Sequence, residues 1–116
     1  MIQYPKRSKY GNKKTVIDGI VFDSAKEARH WTRLVLESKA GHITALERQV
    51  KFTFPDGAGD VIRHVKSKRP VTYVADFTYI RGGKKIVADA KGFRTSEYKL
   101  KAALMKSVLG IEIVEL

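Results

Sequence analysis

The stretch Val71-Thr-Tyr-Val-Ala-Asp76-Phe-Thr-Tyr-Ile-Arg81-Gly82-Gly83-Lys84-Lys-Ile-Val-Ala-Asp89-Ala90-Lys91 decides the reading of this chain. Two runs rich in β-branched and aromatic residues flank a glycine pair. Such a pair accepts the backbone angles of a two-residue hairpin turn. With a two-residue loop Arg81 faces Lys84, and counting back from them sets Asp76 directly opposite Asp89 on one face. Their Cβ atoms would then lie about 4.5–5.5 Å apart. A three-residue loop would instead turn the two side chains to opposite faces.

Like charges placed this way are destabilising, and here both sit among apolar neighbours. Two arrangements offset the repulsion. Each aspartate can pair with a Lys or Arg, or both can share a divalent cation, since hard metals take carboxylate oxygens at this spacing. Lys91 follows Asp89 by two residues and so projects from the same face of an extended strand. Two carboxylates and an ammonium form an inventory for metal-assisted phosphodiester hydrolysis.

Working outward from the hairpin, Asp18-Gly19 marks a small turn within residues 15–22. Ser24 to about Ala40 reads as a helix, with Ala28, Trp31, Leu34 and Val35 as its apolar stripe and Lys26, Arg29, Arg33 and Glu37 pointing away. Glu27 falls beside that stripe. Its side chain can reach inward toward the aspartates or, as part of a Ser24-x-x-Glu27 capping box, back to the Ser24 amide. Residues 43–54 alternate as a strand, and 55–70 form a loop or a loop enclosing a short strand around 61–65. Residues 96–109 read as a second helix with Tyr98, Ala102, Met105 and Leu109 on one side, and 111–116 as a final strand. The expectation is one α/β domain over residues 15–116, a mixed β-sheet flanked by helices, preceded by a basic arm over residues 1–14.

Composition narrows the function. The chain has 116 residues, is 43% hydrophobic and 30% charged, and contains no cysteine. Thiol nucleophiles, thiolate zinc sites and disulfide scaffolds are excluded. No apolar run approaches the roughly 20 residues of a membrane helix, and the start has no signal-peptide character, so a cytoplasmic protein is expected. The formal charge is +11, concentrated in residues 1–14, 60–69 and 82–106. A surface of this kind seeks a polyanion such as nucleic acid. Lys13 and Lys14 in the arm, Lys66, Lys68 and Arg69 in the loop, and Arg94 and Lys99 after the hairpin are the candidate phosphate contacts. His30, His42 and His64 show no metal-ligand spacing, and no phosphate-binding P-loop exists.

Glu27 on a first helix, then Asp76, then Asp89-Ala90-Lys91 resembles the PD-(D/E)XK nuclease superfamily. The segments Phe22-Asp-Ser-Ala-Lys-Glu27, Tyr73-Val-Ala-Asp76-Phe77 and Val87-Ala-Asp89-Ala-Lys91-Gly-Phe-Arg-Thr95 resemble, more narrowly, a group of small phage and prophage proteins placed in that superfamily. Ala75 stands where the motif's proline would be, and Asp89 where many members carry Glu. The resemblance implies a restriction-endonuclease-like core of order α-β-β-β-α-β. It implies Mg²⁺, with Mn²⁺ able to substitute, bound by Asp76, Asp89 and the Ala90 carbonyl. It also implies Lys91 acting on the attacking water, Glu27 serving a second metal or its water, and Gln49 in support. The implied activity is DNA endonuclease, with Holliday junction resolvase as one form of it, acting on duplex or branched DNA as a homodimer. A non-catalytic DNA-binding module of the same fold is the alternative.

Overall fold

The computed structural model describes residues 14–90 and 94–116. Strands β1 (Thr15–Ile17) and β2 (Ile20–Phe22) form a two-stranded ribbon. Helix α1 (Ala25–Lys39) follows, with the Ser24 Oγ accepting the Glu27 amide at 3.1 Å as its N-cap. Then come β3 (Thr44–Thr53), β4 (Thr72–Arg81), β5 (Lys84–Asp89), helix α2 (Ser96–Leu109) and β6 (Val114–Glu115). The order of the main sheet is β3-β4-β5-β6, with β6 parallel to β5 and the other pairs antiparallel. The protein is therefore mixed α/β, with a mixed sheet flanked by helices. Among the described residues no helix is long and apolar enough to cross a membrane.

The hairpin has the two-residue loop expected of Gly82-Gly83, at φ 58° and 75°, and Arg81 pairs with Lys84. Both angles are left-handed, which only glycine adopts at little cost. Pairing runs down to Phe77 opposite Ala88, so the next residues in register are Asp76 and Asp89. Each helix buries one stripe. Trp31 and Leu34 of α1 pack with Phe77, Tyr79, Ala88 and Ala90, the Trp31 and Phe77 rings stacking at 6.0 Å. Tyr98 and Met105 of α2 pack with Phe54, Tyr73, Ala75 and Val87. Because Ala88 and Val87 are adjacent in β5, their side chains point to opposite faces, and the helices lie on opposite sides of the sheet.

One strand changes sides. Tyr73 and Ala75 belong to the α2 cluster, but Phe77 and Tyr79 belong to the α1 cluster. Regular alternation would keep all four on one face. The switch falls at Asp76. Across the β3–β4 ladder Arg48 pairs with Phe77 and Val50 with Ala75, while Gln49, between them, has φ 55°. A non-glycine residue there costs about 1–3 kcal/mol, and such conformations cluster at functional sites.

Three local expectations are corrected. The last strand is Val114–Glu115 rather than 111–116, because Ile111 and Ile113 pack their side chains into the α2 cluster first. Strand β5 ends at Asp89, where the Leu116 amide takes the Asp89 carbonyl. Glu37 does not simply point away; it is half-buried and bonds Arg81 at 2.9 Å. The loop after β3 holds two isolated bridges, Pro55 with Val61 and Arg63 with Pro70.

Candidate active site

Asp76 and Asp89 meet in the interior, 6% and 0% exposed. Backbone amides meet both carboxylates. The Asp76 backbone N–H donates to Asp89 Oδ1 at 2.9 Å, and the Ala90 backbone N–H donates to Asp76 Oδ2 at 2.9 Å. Each carboxylate therefore accepts an N–H from the other's strand. Hydrogen bonds of this charge-assisted kind are about twice as strong as neutral ones. The hydroxyl of Tyr73, buried at 3% exposure, donates to Asp89 Oδ2.

Glu27 arrives from the first turn of α1 and is 3% exposed. The Gln49 Nε2 donates to Glu27 Oε1 at 3.1 Å and reaches Asp76 Oδ1 at 3.5 Å. One amide thus spans a carboxylate from the helix and a carboxylate from the sheet. The left-handed backbone at Gln49 sits at this bridge. Arg48 lies 3.8 Å from Glu27 Oε1 and places its guanidinium 4.8 Å over the Phe22 ring. Its Nε is buried with no hydrogen-bond partner among the described residues.

The donor set is all hard oxygen, the chemistry that magnesium and manganese prefer. Asp76 Oδ1 and Glu27 Oε1 face the same amide, and the opposite oxygen of Asp76 is pinned by Ala90. Asp89 accepts a hydrogen bond on each of its oxygens. Asp76, Glu27 and Asp89 thus carry oxygen donors of the type a divalent cation takes. Among the described residues no group of three or more His, Cys, Asp or Glu side chains is placed to hold a metal ion.

Tyr98 lines the α2 side of the same region, its ring 6.3 Å from that of Tyr73. Burial, then the charges of Asp89 and Glu115, push its hydroxyl up to about 12. The protonated form is favoured in the folded state, so this contribution to stability is complete below pH 10 and is lost as pH rises toward 12. A spectrophotometric titration is expected to show one tyrosine ionising well after the ordinary phenols, and Tyr98→Phe to remove that late step. An unchanged late step in the variant would rule out the assignment.

Of the remaining expected residues, Lys91 and Lys13 lie outside the described residues. Lys14, Lys66, Lys68, Arg69 and Lys99 are exposed. The Arg94 guanidinium binds Glu115 at 2.7 Å and 2.5 Å. Sequence reasoning missed Tyr73 and Arg48. A buried tyrosine usually finds a hydrogen-bond partner, so asking which acceptor Tyr73 reaches would have found it. Arg48 carries no local signal at all.

These contacts define an α/β domain with an acidic cluster drawn from one helix and two strands and bridged by Gln49 of a third. The chain belongs to the family described as protein of unknown function (DUF1064), which matches residues 7–109 and so contains the whole cluster. No curated protein and no solved structure matches the chain.

Proposed function

We propose that this chain is a metal-dependent DNA endonuclease of the PD-(D/E)XK type, built on a restriction-endonuclease-like core. The observation that carries this reading is the convergence of Glu27, Gln49, Asp76 and Asp89 from α1, β3, β4 and β5 into one hydrogen-bonded network. The charge of +11 and the three matched segments support it.

Asp76, Glu27 and Asp89 would hold Mg²⁺ or Mn²⁺, together with the carbonyl of Ala90, whose amide already touches Asp76. When bound, the ion polarises phosphate oxygens and lowers the pKa of a water. The protein's own residues do the positioning. Asp89 fixes the Asp76 peptide, and Ala90 fixes one Asp76 oxygen, which orients the other toward Gln49. Gln49 keeps Glu27 and Asp76 in register across the helix–sheet boundary. The resemblance assigns the attacking water to Lys91. Exposed lysines and arginines bind the DNA backbone without reading sequence. One such site cuts one strand, so a homodimer acts on duplex or branched DNA, with a resolvase-like preference for junctions.

The test is cleavage of labelled linear duplex, single-stranded and four-way-junction DNA in Mg²⁺, Mn²⁺, Ca²⁺ or EDTA. Cutting in Mg²⁺ and Mn²⁺ but not EDTA is expected, with the junction preferred. Tight binding with no cutting in any metal would overturn the nuclease reading in favour of a DNA-binding module.

A further inference from the structure

We propose that residues 55–70, between β3 and β4, form a wing that enters a groove of the DNA duplex and sets Val65 against the base pairs. This deepens the DNA-enzyme reading and rests on it.

The segment is a built element. At its base the Ile62 amide bonds the Phe54 carbonyl at 2.7 Å and the Val71 amide bonds the Ile62 carbonyl at 2.9 Å. Ile62 and Val71 pack into the α2 cluster beside Tyr73. The Asp56 carboxylate closes the first turn by accepting the amides of Ala58 and Asp60 at 2.7 Å and 3.2 Å. The tip is closed by His64 N–H to the Arg69 carbonyl at 2.9 Å and Lys68 N–H to the His64 carbonyl at 3.0 Å. The Arg63 guanidinium braces it by donating to the Lys68 carbonyl at 2.9 Å.

This closed tip presents Val65 at 84% exposure. An open concavity of about 800 Å³ is lined by His64, Val65, Lys66, Ser67 and Arg69. Arg63 is held by Asp60 at 3.3 Å, whereas Lys66, Lys68 and Arg69 make no ion pair among the described residues. An apolar side chain ringed by unpaired cations matches a ligand that is anionic at its rim and apolar within. A DNA groove has that profile, with phosphates outside and stacked bases inside, and apolar wedges are known to enter base steps and unstack them. The wing's base packs beside Tyr73, which also holds Asp89. Tyr73 therefore links the base of the wing to the acidic cluster.

The experiment measures binding to duplex and four-way-junction DNA in EDTA, by anisotropy across a salt series, with 2-aminopurine reporting unstacking. Lys66→Ala/Arg69→Ala is expected to weaken binding on every DNA and to flatten the salt slope by about 1.8. Val65→Ser is expected to keep the salt slope but lose the 2-aminopurine rise. Both changes are on exposed residues, so unaltered melting curves show that folding is intact. Variants that match wild type in slope and fluorescence overturn the wing, even if the protein cuts DNA. Wild-type unstacking without cutting in any metal upholds the wing and overturns the nuclease. Absence of DNA binding by the wild type overturns both. The same Val65 effect on binding an acidic protein, with none on DNA, overturns the wing alone.

Discussion

Asp89→Ala is expected to lower the thermal midpoint by about 10 °C or more. The position is fully buried, and the truncation leaves the Asp76 amide and the Tyr73 hydroxyl without their acceptor. Each orphaned buried donor costs about 1–3 kcal/mol, and 1 kcal/mol shifts the midpoint of a domain this size by about 4–8 °C. Removing a buried carboxylate recovers part of that through relieved desolvation, but two donors outweigh it because neither can reach water. The double variant Asp89→Ala/Tyr73→Phe removes one donor with the acceptor and is expected to regain several degrees. Thermal melts followed by circular dichroism check both. A loss under 2 °C for the single variant, or no recovery in the double, would show that the Asp89 bonds do not hold the sheet.

Asp76→Asn is expected to abolish metal-dependent cleavage, by about 100-fold or more, while leaving the fold in place. The amide oxygen can still accept the Ala90 N–H, so the backbone contact survives. What is lost is the charged oxygen on the Gln49 side. Removing residues that merely orient metal ligands costs 10–100-fold, and loss of a direct ligand costs at least that. Initial cleavage rates in Mg²⁺, paired with a melting curve, separate catalysis from stability. DNA binding in EDTA is expected to hold or improve, since a negative charge has gone. A variant cutting within twofold of wild type would remove Asp76 from the proposed chemistry.

Much of this site could be read from local pattern. Gly82-Gly83 dictated the loop, the loop dictated the register, and the register brought Asp76 to Asp89. Ser24 and the apolar stripe placed α1, and with it the inward Glu27. What local pattern could not supply was the partners. The backbone amides that meet the two aspartates depend on how β4 and β5 part after Phe77 and Ala88. Gln49 gains its role only from a left-handed kink in β3, which no residue type near it announces. The strand's change of sides at Asp76 was likewise hidden, because Tyr73, Ala75, Phe77 and Tyr79 read as one alternating face. The ion pair of Arg94 with Glu115 brings together residues 21 apart in the chain, a closure that charge counting does not see.

The Gln49 bridge joins partners 22 and 27 positions away, and it has a consequence for when the chain becomes competent. Contacts so distant form late, once loops have closed and strands have paired. The β4–β5 hairpin can bring its two aspartates together alone, but Glu27 joins them only when α1 has docked and β3 has found its register. A partly folded chain therefore holds an incomplete set. A protein that severs DNA would in this way stay harmless during its own synthesis, with assembly of the last long-range contact acting as the switch that arms it.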